Sequence, residues 1–370
     1  MRVSNINRDI LRQTMAHLDE ATISKFKNLG KWLDGSLLPT FNQMIAYTKA
    51  ANIPFGYLFL DQLPDNSPTI PHYRTTTNRV VEPSAFLKAS IQQIEERQIW
   101  AKDLLLELGA EPLPFANRFT VHSEIEKVVS AIANLLQIKR KTWASRLSTW
   151  NKALSFLIEQ TEAAGIFVVK NGVVGNKNRK ALNVEEFRGF VLYDEIAPFI
   201  FINGKDAIAG QIFTLIHEIA HVLIGESASF DLSFVESHHN NIEKFCNQVA
   251  ANFLLPQELV EKYYEEENYS ALAKKFKVSQ IAVARRLLDI GQINREQFLD
   301  FYNRYKQQNF SSTKSKGGNF YNSAPYKVSN RFFGLVNTSL LEGKIRPMDA
   351  FRLTGLKAKT YATYLEKSKE

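Results

Sequence analysis

The chain has 370 residues, 45 percent of them hydrophobic and 12 percent aromatic, enough for two or three domains with real cores. No apolar run approaches the ~18 residues that cross a bilayer, no apolar signal region opens the chain, and Cys246 is the only cysteine. A membrane span, an internal disulfide and a cysteine-built metal site are therefore excluded on this reading, and a cytoplasmic protein is expected.

In chain order, residues 7 to 60 read as short helices, and residues 61 to 82 as a Pro- and Thr-containing linker. Ser84 to Leu108 carries helix-period apolar residues behind a serine suited to capping. Ser123 to Leu136 and Leu147 to Glu162 read as further helices. The period then changes. Gly165 to Gly172, Arg188 to Tyr193 and Phe199 to Ile202 read as three strands. Phe199, Ile200, Phe201, Ile202 and Asn203 are a candidate sheet edge that would hold a substrate as an added strand, with an ordinary structural strand as the equal alternative.

The segment from Asp206 to Ile224 reads as a helix and carries His217-Glu218-Ile219-Ala220-His221. Residues four apart lie one turn apart on one helix face, so His217 and His221 can reach one metal. Glu218 lies beside them, placed to act as a general base on a water at that metal. Leu215, Ile216, Ile219, Ala220, Leu223 and Ile224 give this helix an apolar surround, and Gly225 ends it. A buried helix carries polar groups of this kind only when they have partners.

The third ligand sets the subclass. A third histidine reached through Gly-x-x-His is absent, because those positions hold Ile224 and Ser227. The next helix, Asn241 to Leu255, has an apolar stripe at Ile242, Phe245, Val249 and Phe253, with Pro256 as its stop. Glu243 lies one position from that stripe and is the preferred ligand, with Glu236, His238 and His239 in a polar loop as rivals. Asn247 and Gln248 are candidates to orient ligands or, equally, plain helix surface. Cys246 reads as a small packed residue, and His17, His72 and His122 have no ligand-like neighbours in sequence.

Two later segments have the pattern of helix-turn-helix units: Leu272 to Leu287, with Ser279 as a cap, and Asp349 to Tyr361, with a turn at Gly355. Ser311 to Asn319 between them reads as a linker. Residues 301 to 370 carry 13 Lys or Arg against 4 Asp or Glu, a net of +9, whereas the whole chain is +8. Such a segment suits DNA or an acidic partner, and a solvated basic surface or a docking module equally fits.

Four blocks in order, Arg188–Leu192, Pro198–Asn203, Ile212–His221 and Glu243–Pro256, make the chain similar to the ImmA/IrrE metallopeptidase family. That resemblance implies a zinc endopeptidase that cuts a helix-turn-helix repressor or antitoxin. It implies Zn2+ on His217, His221 and Glu243, and Glu218 as catalytic base. The N-terminus, through Lys31–Thr40 and Asn52–Leu60, resembles the phage-repressor-type helix-turn-helix of longer members, although the segment before Trp32 is short for a basic recognition helix.

The expected fold is α+β and mostly helical, a zincin-like core with a small sheet, flanked by helix-turn-helix-like modules. The expected domains are 1–75, 76–260, 261–310 and 311–370. Tyr193, His238 and His239 are weak candidates for stabilising a tetrahedral oxyanion. The alternative function is a noncatalytic DNA- or repressor-binding regulator with a vestigial metallopeptidase fold, against which the intact set His217, Glu218, His221 and Glu243 argues.

Overall fold

The computed structural model describes residues 2–16, 18, 20–51, 53, 55–62, 83–175, 180–230, 241–265, 268–309 and 327–367. The chain divides into two compact units, Met1–Pro68 and Thr69–Glu370. Among the described residues no helix is long and apolar enough to cross a membrane.

The first unit contains α1 (Arg8–Ala16), α2 (Glu20–Ile23), α3 (Leu29–Asp34), α4 (Phe41–Ala51) and a 3-10 turn at Phe55–Phe59. Its core is Val3, Ile10, Leu11, Leu29, Trp32, Met44, Tyr47 and Leu58. The buried Tyr47 hydroxyl donates to Leu11 O (3.0 Å) and meets Thr14 Oγ1 at 2.8 Å, so its polar end is satisfied inside that core. With α2 at four residues and α3 at six, neither helix has the length usual in a recognition helix.

The second unit begins with α5 (Ala85–Glu107), whose N-cap is Ser84, its Oγ accepting from Leu87 N. Then come α6 (Ile125–Leu135), α7 (Trp150–Ala163), β1 (Phe167–Asn171), β2 (Gly189–Leu192), β3 (Phe199–Asn203), α8 (Ile208–Ile224) and β4 (Ala228–Phe230). It continues with α9 (Asn241–Leu254), α10 (Gln257–Tyr263), α11 (Tyr269–Phe276), α12 (Gln280–Asp289) and α13 (Arg295–Asn309). It ends with α14 (Asn330–Leu341), α15 (Pro347–Thr354) and α16 (Ala358–Lys367). The α+β, mostly helical class is as expected.

The sheet has the order β1-β3-β2-β4, with β1 parallel to β3 and the other two pairs antiparallel. The strand β4 was not expected from sequence. Strand alternation sorts the side chains into two cores. Val168, Val191, Ile200 and Ile202 face α8 and join the core shared with α6, α7, α9, α11 and α12. Phe167, Val169, Phe190, Leu192, Phe199 and Phe201 face the other way and are covered by α5 and the C-terminal helices. On this second face, register partners stack: Phe190 on Phe201 at 4.9 Å and Phe167 on Phe199 at 4.5 Å between ring centroids. Phe332 of α14 meets Phe199 edge-on at 5.8 Å.

The expectation that Phe199, Ile200, Phe201, Ile202 and Asn203 form a sheet edge is corrected. The strand β3 is paired on both sides, and all five residues are buried. Its continuous apolar character reflects burial on both faces rather than an exposed margin. Asn203 is spent on the turn, donating to Phe187 O (3.0 Å) and accepting from Lys205 N (3.1 Å). The outer strands of the described sheet are β1 and β4.

Two buried ionisable groups fasten the C-terminal segment to α5 and α7. Arg97 of α5, 3 percent exposed, donates to Leu353 O, Lys327 O and Thr354 O, and burial lowers its pKa to about 10. Glu162 of α7 accepts from Ser329 Oγ at 2.5 Å, and burial raises its carboxyl to about 7. The folded chain therefore keeps a proton that the unfolded chain releases near 4.5. That contribution to stability is complete below the unfolded value and lost as pH rises through the folded one. Glu162→Gln should flatten the loss of stability between pH 5 and 7.5 by on the order of 2 kcal/mol. Urea midpoints of both proteins across that range would show it, and parallel profiles would contradict it.

Candidate metal centre

The helix α8 begins where Asp206 accepts from Ala207 N (2.8 Å) and meets Arg188 Nη1 at 3.2 Å. A carboxylate at a helix N-terminus is favoured by the free N–H groups there, and Arg188 compensates its burial. The helix ends at Gly225, whose φ of +78° needs no Cβ. Every residue from Gln211 to Ile224 is buried, so His217, Glu218 and His221 have no access to bulk solvent through their own helix.

The helix α9 supplies the third group. Phe245, Val249 and Phe253 form its buried stripe, and Glu243 sits in its first turn. Arg140 Nη2 donates to Asn252 O (2.8 Å), and Arg286 donates to Leu255 O (3.1 Å) and Asn252 Oδ1 (2.8 Å). Two cations thus hold the C-terminal end of α9, where carbonyls lack helical partners.

The three groups converge. His217 Nε2 lies 3.1 Å from Glu243 Oε2, His221 Nε2 lies 3.3 Å from Glu243 Oε1, and the two Nε2 atoms are 3.0 Å apart. Ligand atoms on a tetrahedral metal, at bonds of about 2.0–2.1 Å, lie about 3.3–3.4 Å from one another. The observed spacings are close to that value, and His217, His221 and Glu243 form a group able to hold a metal ion. The donor set, two imidazoles and a carboxylate, suits a divalent metal ion with a further position left for another ligand.

Protonation agrees with this. Burial pushes the His217 imidazole below its ordinary range, toward the neutral form that can ligate. Burial would raise Glu243, but the two imidazoles outweigh it and hold the carboxyl well below its usual range. Glu218 is fully buried, and burial first, then repulsion from Glu243, lifts its carboxyl well above the ordinary value. Neither of its oxygens meets a hydrogen-bond partner among the described residues. An orphaned carboxyl in an apolar core is costly. One beside a metal and a substrate is what a general base requires.

Gly189 of β2, not singled out by the motif reading, makes room for this arrangement. A Cβ there would lie 2.5 Å from Thr214 Cγ2, 2.7 Å from Phe201 O and 3.4 Å from Glu218 Oε1. The contact with the Phe201 backbone oxygen cannot be relieved by a side-chain rotation, so β2 would have to shift against β3, and the Thr214 contact would press α8 away from the sheet. Gly189→Ala should lower stability by about 1–3 kcal/mol and weaken metal retention as well. Thermal melting and metal titration of the variant check this, and native values in both would contradict it.

Of the two candidate orienting residues, Asn247 lies beside His217, its buried Oδ1 without a hydrogen-bond partner among the described residues, whereas Gln248 is exposed on α9. Cys246 is fully buried, and burial raises its thiol well above the ordinary value, in keeping with a packed residue. Tyr193 follows β2, its N–H bonded to Ser227 Oγ at 2.9 Å, and His122 is exposed. Glu236, His238, His239, His17 and His72 lie outside the described residues.

Residues 161–288 match the family model of the IrrE N-terminal-like domain, a peptidase family. The match runs from the end of α7 to α12 and contains His217, Glu218, His221 and Glu243. This span is therefore similar to the family that the sequence resembles. Residues 328–367 match a second family model, a domain of unknown function. No curated protein matches the chain.

Proposed function

From a peptidase-family domain built around a metal-binding triad, we propose that the chain is a zinc-dependent endopeptidase of the cytoplasm. Its substrate is a helix-turn-helix repressor or antitoxin, and cleavage relieves repression. The observation that carries the reading is the convergence of His217, His221 and Glu243 beside the buried, unpartnered Glu218.

A zinc ion on the triad would supply a Lewis acid, lowering the pKa of a ligated water and polarising the scissile carbonyl. Glu218 accepts the proton of the attacking water and returns it to the leaving amine. Asn247, beside His217 and with its Oδ1 unpartnered among the described residues, is placed to orient that ring once a metal is bound. The apolar walls from α8 and the sheet limit competing water and strengthen the electrostatics of the step. An extended substrate segment adds to an outer strand, and β4, reached from α8 through residues 225–227, is the strand in position to receive it.

The noncatalytic alternative is disfavoured because a decayed site loses members and this one is complete. The test is incubation of the zinc-loaded chain with the repressor encoded nearest its own gene, read by intact-mass spectrometry. One defined pair of fragments, abolished by a zinc chelator, is expected. An uncut repressor after loading would count against the reading.

A further inference from the structure

The two segments with a helix-turn-helix pattern differ in what they leave exposed. In the first, the second helix α12 is packed: Val283, Ala284, Arg286 and Leu287 are buried, and its partly exposed Arg285 is ion-paired with Asp289 at 3.0 Å. Arg286 is spent on the end of α9. Lys277 Nζ bonds Lys274 O at 2.7 Å, and Trp150 Nε1 bonds Val278 O at 3.2 Å. This unit closes the peptidase core and offers no reading face.

The second is built the other way. The helix α15 ends at Gly355, with φ +68°, and α16 begins three residues later. Leu356 at the middle of the turn is buried, and its N–H bonds Thr354 Oγ1 at 3.3 Å. Tyr361 and Tyr364 pack α16 against α14 through Phe333, at 4.8 and 4.1 Å, and Phe351 of α15 meets Tyr361 at 5.5 Å. The opposite face of α16 is open, with Ala358, Lys359, Ala362 and Glu366 exposed. Lys357 in the turn is exposed, and so is Arg352 at the end of α15, its side chain 78 percent exposed with Nη2 at 4.0 Å from Asp349 Oδ1. Across the sheet from the triad, then, a three-helix unit presents a helix preceded by the exposed Arg352 and Lys357, with Lys359 in its first turn between the small Ala358 and Ala362. A short, slim helix face whose leading end is cationic and whose one exposed anion, Glu366, lies at the far end fits the major groove, with flanking cations on phosphates.

We propose that α14, α15 and α16 form a duplex-DNA-binding unit, with α16 entering the major groove and Arg352, Lys357 and Lys359 contacting the backbone. It extends the proposed peptidase reading by a second activity on a separate surface, so a peptidase joined to such a unit would act on a repressor at or near its operator.

The test uses the full chain and a fluorescein-labelled duplex of mixed sequence, read by polarisation between 50 and 200 mM KCl. Native protein should bind, with affinity falling on a log–log salt slope of about −3 for three phosphate contacts. The triple variant Arg352→Glu, Lys357→Glu, Lys359→Glu should bind at least tenfold more weakly with a flatter slope. The charge-matched triple Lys274→Glu, Lys275→Glu, Arg285→Glu on α11 and α12 should stay within twofold of native. Amide exchange of native protein, which needs no variant to fold, should show DNA protecting residues 352–363. Glu218→Gln should bind DNA as native does, which separates this proposal from the fate of the peptidase reading. Equal losses in the two triples, no binding at 50 mM KCl, or displacement by polyglutamate as readily as by unlabelled duplex would each overturn it, the last in favour of an acidic protein partner.

Discussion

Glu218→Gln should keep its metal and its fold while substrate cleavage falls by at least about 1,000-fold. Glutamine matches the volume of glutamate and its NH2 can bond where an oxygen did, but it cannot take a proton from water. The carboxyl is not a ligand in the triad of His217, His221 and Glu243, so metal content should be unchanged. Because it is buried and unpartnered among the described residues, replacing it with a neutral amide should leave stability equal or higher. The combination is distinctive: a group that is structural loses stability when replaced, and this one loses turnover alone. Single-turnover cleavage, metal analysis and a melting curve on the same preparation would show it. Cleavage within tenfold of native would remove Glu218 from the reaction.

Glu243→Ala is the second large effect. Its carboxylate closes the triangle with the two imidazoles, at 3.1 and 3.3 Å. Removing it leaves two imidazole Nε2 atoms 3.0 Å apart with no anion between them and an added cation. Zinc affinity should fall by at least about 100-fold, since outer partners of ligands alone are worth 10–100-fold. The thermal shift produced by added zinc should shrink with it. Glu243→Gln, which keeps shape and loses charge, should fall between the two. Unchanged zinc affinity in Glu243→Ala would mean that the third ligand lies elsewhere, in the segment containing Glu236, His238 and His239.

Much of this site was legible because its information is local. The i, i+4 spacing of His217 and His221 and the apolar flanks specify a buried helix before any fold is known. Glu243 was reachable by phase, one position from the stripe of α9. Caps also declare themselves locally: Ser84, Ser279, Gly225 and Gly355 all stand where a helix begins or ends.

What was not legible depends on pairing at long range. The apolar run Phe199–Asn203 looks the same at an edge or at the centre of a sheet, and only the parallel partner β1, 32 residues earlier in register, makes it central. The strand β4 has three residues and no period to read. Gly189 matters because α8 crosses β2 closely there, which no local pattern announces. Arg286 lies near the end of the helix-turn-helix-like segment Leu272 to Leu287. In the fold it is a buried clamp on α9, because an arginine's role is set by the carbonyls it meets. The C-terminal segment was legible as basic, but its apolar residues also roof one face of the sheet, a role that Phe332 and Phe333 fill only through tertiary packing.

The most direct test is X-ray absorption at the zinc edge on the purified, zinc-supplied chain. One zinc per chain is expected, bound by two imidazole nitrogens and by carboxylate and water oxygens at about 2.0–2.1 Å, with no sulfur. A chain that holds no zinc after supply, or a shell with fewer than two imidazoles, would contradict it.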